Sequence, residues 1–460
     1  MKFYFDDNKK NNLVKFAYKD QIDNPFFQGN LGENLGLVDK DEILLGLGDK
    51  EELSKEDFKK AIYDMAKELG KKDIKALSFA KENIDLTDEE FVLSIGEAII
   101  LASYNFDYYK SEKSDFNIEE INFSKDLEKN NQALTELENT LDAQKLSRDI
   151  VNLRSNDIYP ESLANRVKEE LEPLGVEVKI YQEEEIRQMG LSAYLEVAKG
   201  SENRPRFIVM EYLKGEESEK PLVFVGKGLT YDSGGYSLKS SNGMKTMHCD
   251  MGGSGTVIGA MKAIAQNELK VNVVALVAAC ENLLSGKSYK PGDVIVARNG
   301  MTIEVDNTDA EGRITLADAV NYGATEYQPQ MIVDLATLTG AVLSALGETY
   351  TGAVTNNEDA FAKVMEACKK SDEKIWQLPN DDQLRKNNDS KVADIKNSGG
   401  PLAGSITAGQ FVGAFVEDYP WVHLDIAGTA YLSKAQGLYE EGATGVHVKT
   451  LYNLAKSYSK

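Results

Sequence analysis

From about residue 150 onward the chain alternates short apolar runs with helical segments. "VEVKIYQ", "RFIVMEY", "PLVFVG", "VNVVALVAA", "MIVDLATL" and "WVHLDIAG" all read as strands. Runs that are apolar at nearly every position belong to sheets covered on both faces, because a strand with one wet face would alternate with polar residues. The pattern predicts an α/β domain whose sheet is flanked by helices over residues 151–460.

The first 126 residues are charge-rich and predict a smaller α/β domain. "EILLGLG" and "KALSFA" are strand candidates. Ser54 opens a helix with a capping-box start, in which Phe58, Ile62, Met65 and Leu69 share a face and Gly70 marks the stop. Thr87 caps a second helix. No cluster of reactive side chains occurs here, so a structural or assembly role is expected. The stretch from Leu127, "LEKNNQALTELENTLDAQKLSRDIVNL", predicts a polar linker helix over 127–150.

Composition narrows the chemistry. The 460 residues carry a formal net charge of −23, which argues against nucleic-acid partners and suits divalent cations. No apolar run reaches the length of a membrane span, and the start "MKFYFDDNKK" lacks a signal-peptide pattern. Cys249, Cys280 and Cys368 form no disulfide framework, so the cytoplasm is the expected compartment. The only histidines are His248, His423 and His447, and no HExxH occurs, so a metal site must rest on carboxylates.

"NTDAEGR" places Asp309, Glu311 and Arg313 between the alternating "MTIEVD" and the helical "ITLADAVNYGA". In extended backbone these three side chains would point the same way, at the carboxyl end of a strand. Taken alone the pattern also fits a solvated turn. A second stretch, "VFVGKGLTYDSGGYSLKSSNGMKTMHCDMGG", adds Lys227 just past a strand, then Asp232, Lys239 and Asp250, with glycine pairs at 234–235 and 252–253. Asp232, Asp250, Asp309 and Glu311 together could hold two divalent ions roughly 3.5–4 Å apart. Competing motifs fail. "GGSGT" ends in Thr256 where a nucleophile elbow needs glycine, and "ENLLSGKS" has Glu281 where a phosphate loop needs its first glycine. Cys249 and His423 read as packed residues.

"VGKGLTYDSGGYSLK", "CDMGGSGTV", "GKSYKPGDVI" and "NTDAEGRITLADA" resemble the cytosolic leucine aminopeptidase family of two-metal exopeptidases. "DLATLTGA", "HLDIAGTA" and "GATGVHV" carry the likeness through residues 150–460, and "GLGDKEEL" and "ASYNFDYYK" extend it more loosely into the first domain. The resemblance implies a two-domain α/β fold, with a mixed, helix-covered sheet in the larger domain. It implies that Lys227, Asp232, Asp250 and Glu311 hold a tight metal, and that Asp232, Asp309 and Glu311 hold an exchangeable one. The ions expected are Mn²⁺ or Zn²⁺, with Co²⁺ and Mg²⁺ as alternatives.

By the same resemblance Lys239 polarises the scissile carbonyl and Arg313 holds a bicarbonate proton shuttle. Met247, Thr337, Gly340 and Ala430 line the pocket for the first side chain, and the Leu338 backbone receives the substrate amide. The implied protein is a homohexameric, cytoplasmic enzyme that releases N-terminal leucine or methionine from peptides. Three positions depart from the family. His248 stands where a lysine or arginine is usual, and Ser254 and Gly255 stand where alanines are usual, which bears on side-chain preference. A phosphatase on the same ions, or a DNA-binding role for the assembly, are the competing readings.

Overall fold

The computed structural model describes residues 1–9, 11–19, 24–37 and 40–459. They form two units, Met1–Leu141 with Lys434–Glu440, and Asp142–Ser433 with Glu441–Lys460.

The N-terminal unit is built on a six-stranded sheet in the order Lys2–Phe5, Glu120–Phe123, Ala76–Phe79, Leu13–Ala17, Glu42–Gly46, Asn34–Leu37. All neighbours are parallel except the antiparallel edge strand Asn34–Leu37. Helices Lys55–Leu69 and Asp88–Ser103 pack on this sheet, and both begin with reciprocal capping boxes. Ser54 Oγ accepts from the Asp57 N–H at 3.1 Å, and Thr87 Oγ1 from the Glu90 N–H at 3.2 Å. The helices bury Phe58, Ile62, Met65 and Leu69 on the expected face, and a buried ion pair joins Lys59 to Glu97.

The larger unit holds an eight-stranded mixed sheet. Its order is Ile375–Gln377, Thr351–Thr355, Trp421–Asp425, Met331–Ala336, Leu222–Asp232, Asn272–Asn282, Arg206–Leu213, Glu177–Tyr181. The four central strands run parallel. Two apolar clusters cover its faces, and Asn272–Asn282 is buried at every position. Helix Gly252–Gln266 sits very close to the sheet: a Cβ on Gly253 would lie 2.0 Å from the Leu335 carbonyl oxygen. The other glycine pair, Gly234–Gly235, turns with positive φ at both residues.

Three expectations are corrected. Lys227 lies inside strand Leu222–Asp232, because that strand runs for 11 residues, and is not just past its end. The strand before "NTDAEGR", Thr302–Glu304, belongs to a separate three-stranded sheet. The segment from Leu127 begins within a 3₁₀ turn, Lys125–Asn130, and continues as helix Asn131–Asn152. The helix runs from one unit into the other, and its second half is tied down by buried polar side chains. Its buried Gln144 Nε2 donates to the Thr444 carbonyl at 3.0 Å, Arg148 Nε to the Ala443 carbonyl at 2.9 Å, and Asn152 Oδ1 accepts from the Ala443 N–H at 3.0 Å. Among the described residues no helix is long and apolar enough to cross a membrane.

Candidate metal centre

Four separate pieces of chain supply the site. Strand Leu222–Asp232 gives Lys227 and, at its carboxyl end, Asp232. Lys239 follows in the next turn, its N–H donating to the Ser233 carbonyl at 3.0 Å. Asp250 stands between the 3₁₀ turn Met247–Cys249 and helix Gly252–Gln266. Asp309 lies in the loop before helix Glu311–Tyr327, of which Glu311 is the first residue. "NTDAEGR" is therefore not extended. Asn307 Oδ1 accepts from the Asp309 N–H at 2.9 Å and curls the backbone into the helix start.

These side chains converge below the surface. Lys227 Nζ is 2.7 Å from Asp250 Oδ2 and 3.0 Å from Glu311 Oε1, and donates to the Thr337 carbonyl at 3.0 Å. Lys239 Nζ is 2.8 Å from Asp232 Oδ2 and 2.6 Å from Asp309 Oδ1. Asp232, Asp309 and Glu311 each offer an oxygen within 4.8 Å of the others. Gly312 makes room for Lys227: a Cβ there would lie 2.4 Å from its Cε. Arg313 is brought near but not into the cluster. Its Nη1 donates to the Asn397 carbonyl at 2.8 Å, and its buried Nε has no hydrogen-bond partner among the described residues.

Of the expected pocket residues, Thr337 touches Asp250. The Thr337 hydroxyl donates to Asp250 Oδ1 at 2.8 Å. A Cβ on Gly252 would lie 3.0 Å from Ala430 Cβ and 3.1 Å from Thr337 Cγ2, so both residues close in on this glycine. Met247 is half-buried three residues before Asp250, and Gly340 is exposed at the start of helix Gly340–Leu346. The Leu338 N–H donates to Asp425 Oδ1 at 3.2 Å.

The comparisons with known proteins follow the same lines. The family profile described as "Cytosol aminopeptidase family, catalytic domain" matches residues 145–452, and "Cytosol aminopeptidase family, N-terminal domain" matches residues 27–113. The chain belongs to the cytosol aminopeptidase family. A probable cytosol aminopeptidase of Clostridium tetani is 46% identical over 440 residues, covering 94% of this chain and 92% of the relative. One of Treponema denticola is 45% identical over 420 residues, covering 90% and 88%. The bottromycin maturation enzyme BotP in complex with Mn superposes with a TM-score of 0.89 at 27% identity, covering 98% of this chain and all of that one.

A cytosol aminopeptidase is a metal-dependent hydrolase, and the residues here fit divalent cations. Four carboxyl groups face two ammonium groups, so the cluster has more acidic groups than cations to pair with them. Asp250 Oδ2 and Asp309 Oδ1 touch the lysines at ion-pair distance yet lack a hydrogen bond of good angle, so each has a lone pair to give. Burial would lower the Lys227 and Lys239 pKa values, but the surrounding carboxylates outweigh it and hold both above the ordinary range. Burial, with the charges of Glu311 and Asp232, pushes Asp250 up to about 8; burial with Glu311 pushes Asp232 up to about 6. Glu311 stays low, since Lys227 and Lys239 offset its burial.

A pH dependence follows. Folded-state carboxyl pKa values above the ordinary range mean that the native, metal-free protein binds more protons than the unfolded chain between about pH 4 and pH 8. These groups therefore contribute less stability as pH rises through that window. A cation needs them ionised and reverses the trend. The rise in Tm conferred by Mn²⁺ on metal-stripped enzyme should be clearly larger at about pH 8 than at about pH 5.5. Equal gains at both values, measured by calorimetry, would take Asp250 and Asp232 out of the site.

Sequence reading missed the residues that hold the ligands in place. Asn282 Nδ2 donates to Asp232 Oδ1 at 2.8 Å and to the Thr308 carbonyl at 3.0 Å, and the Tyr289 hydroxyl reaches the same carbonyl at 2.9 Å. Asn397 splints the loop from outside. Its Oδ1 accepts from the Asp306 and Asn307 N–H groups at 2.8 and 3.2 Å, and its Nδ2 donates to the Asn307 carbonyl at 2.6 Å. The departures are accommodated locally. Ser254 Oγ bonds back to the Met251 carbonyl at 2.7 Å, and the buried His248 ring meets Tyr431 edge-on with Arg154 beside it. Cys249 is buried, and burial pushes its thiol up to about 12, as suits a packed residue. His423 is a core residue: its Nδ1 meets Asp334 Oδ1 at 2.6 Å, while Nε2 has no partner among the described residues.

Proposed function

We propose that this cytosol aminopeptidase removes N-terminal leucine or methionine from peptides, using two divalent cations held by Lys227, Asp232, Asp250, Asp309 and Glu311. The observation that carries the reading is the convergence of Asp232, Asp309 and Glu311 oxygens within 4.8 Å of one another, with Lys227 bridging Asp250 and Glu311 beside them. Bound cations would supply a hydroxide near neutral pH and polarise the scissile carbonyl. Asp250 and Glu311, with a neutral Lys227, suit a tightly held ion; Asp309, partly exposed at 31% of its side chain, suits an exchangeable one. The manganese in BotP favours Mn²⁺, with Zn²⁺, Co²⁺ or Mg²⁺ as alternatives.

Lys239 reaches the solvent side of the cluster and would stabilise the developing oxyanion. With its N–H committed to Asp425, Leu338 would receive the substrate amide through its carbonyl oxygen. Arg313 Nε is a buried donor that a bicarbonate ion would satisfy, acting as the proton shuttle. Arg313→Ala should then lower kcat far more than it raises KM, and added bicarbonate should stimulate the wild type but not the variant. Equal stimulation would place the anion elsewhere. The family resemblance favours a cytoplasmic homohexamer; light scattering at micromolar concentration tests it, and a monomer mass would reject it.

The free amine is the direct test. The exchangeable ion should take the substrate's neutral amine as a ligand, which an acetyl group abolishes. The pocket bordered by Met247, Thr337, Gly340 and Ala430 should reject an unpartnered charge, which costs several kcal/mol to bury, while each methylene gains about 0.8 kcal/mol. Leucyl and methionyl p-nitroanilides should outrun glycyl and aspartyl ones, and acetyl-leucyl p-nitroanilide should be inert. Comparable turnover of free and acetylated compounds would end the aminopeptidase reading.

A further inference from the structure

The third histidine is in none of the machinery above. His447 is fully buried and has φ 65°, a left-handed conformation that an ordinary side chain adopts at a cost. It caps helix Val448–Ser457. Its N–H donates to Glu373 Oε1 at 2.8 Å, and the hydroxyl and N–H of Thr450 both donate to Glu373 Oε2, at 2.5 and 3.2 Å. A carboxylate at a helix start and three such bonds explain what holds the strained backbone.

The ring continues the chain of contacts in the other direction. His447 Nδ1 is 3.1 Å from Thr450 Oγ1, and Nε2 is 2.8 Å from Thr351 Oγ1. Thr351 Oγ1 lies 2.7 Å from Thr429 Oγ1. Thr444 Oγ1 donates to the Thr429 carbonyl at 2.7 Å, and the Thr444 N–H to the Ala430 carbonyl at 3.0 Å. All of these threonines are buried.

One order of protons satisfies every contact in this chain. The Thr450 hydroxyl donates to Glu373, so its oxygen accepts the Nδ1 proton. Burial alone would make His447 less basic, but Cys368 and Glu373 hold it up to about 10, so both ring nitrogens donate at neutral pH. Nε2–H fills Thr351, and the Thr351 proton passes on to Thr429. The far end is Ala430, which borders Gly252 as Thr337 does, and the Thr337 hydroxyl bonds Asp250.

We propose that His447 is a positioning residue for the pocket of the first side chain: through Thr351 and Thr429 it fixes the Ala430 wall and sets the preference for a leucine-sized group over a small one. The proposal rests on the aminopeptidase reading above. Without the clamp the wall can retreat, and a large apolar side chain loses contacts that alanine never makes.

The test uses full-length, metal-loaded enzyme with leucyl and alanyl p-nitroanilides. His447→Asn keeps a residue that tolerates the left-handed backbone but is too short to reach Thr351. Thr351→Val keeps the shape and deletes the hydroxyl bridge. Each should lower the leucyl-to-alanyl ratio of kcat/KM about tenfold, the equivalent of two methylenes taken out of contact, chiefly through the leucyl KM. The double variant should fall no further than the lower single variant, because both act through one chain. Thr351→Ser should restore the ratio. Should His447→Asn not fold, the two Thr351 variants carry the test alone. An unchanged ratio, or leucyl and alanyl rates that fall together, would overturn the clamp. Turnover by the wild type tests the aminopeptidase reading separately.

Discussion

Lys227→Arg is expected to fold and yet to bind less metal and lose at least about 10³-fold in kcat/KM, equivalent to about 4 kcal/mol of transition-state stabilisation. The reason is protonation. Lys227 Nζ sits between Asp250 and Glu311, where it serves as a cation in the metal-free protein. It can ligate an ion only by giving up its proton, which a neighbouring dication can enforce. A guanidinium cannot be deprotonated in a protein. Size compounds the effect, because the lysine stem runs through the gap left by Gly312, too narrow for a planar fork. Metal content and circular dichroism together check the prediction. A folded variant with full metal stoichiometry would show that Lys227 is not a ligand.

The opposite behaviour is expected of Lys239→Ala. Here kcat should fall about 10²–10³-fold, the usual effect of removing one oxyanion donor, while metal content is retained or increased. Lys239 is the more accessible of the two lysines, with 19% of its side chain exposed against 4% for Lys227. It compensates Asp232 and Asp309 when no other cation does. Its removal deepens the negative charge of the site without deleting a carboxylate. Loss of metal in parallel with loss of rate would make Lys239 part of the metal-holding set.

The two lysines also mark how far the sequence alone could be read. That Lys227, Asp232, Asp250, Asp309 and Glu311 belong together could be suspected because they fall in short, dense motifs beside strongly apolar strands, but their roles were implied only by the family resemblance. The loop conformation was not. Alternation of side chains assumes extended backbone, whereas Asn307 and Asn397 curl "NTDAEGR" into a helix start. Asn282 and Asn397 were invisible for a related reason: an asparagine that splints a distant backbone leaves no periodicity in its own segment. Thr351–Thr355 escaped notice because five small or short residues carry too little apolar pattern to mark a strand, though all five are buried. The polar run after Leu127 marked a helix but not what its polar side chains do. Gln144, Arg148 and Asn152 look like residues for water, but their partners are the backbone of Ala443 and Thr444.

The segment Lys434–Glu440 carries a consequence for how the chain is made. It belongs with Met1–Leu141, although about 290 residues separate the two in sequence. Leu438 and Tyr439 pack on the apolar core of that unit. Glu440 lies 3.2 Å from both the Lys67 ammonium and the Tyr63 hydroxyl. At an elongation rate of ~5–20 residues per second, the ribosome needs roughly 15–60 s to travel from Leu141 to this segment. Through that interval the first-made unit stands without its last piece, and a fragment cut after Leu141 never receives it. The N-terminal unit is first in the gene order of its residues but among the last parts of the protein to be finished.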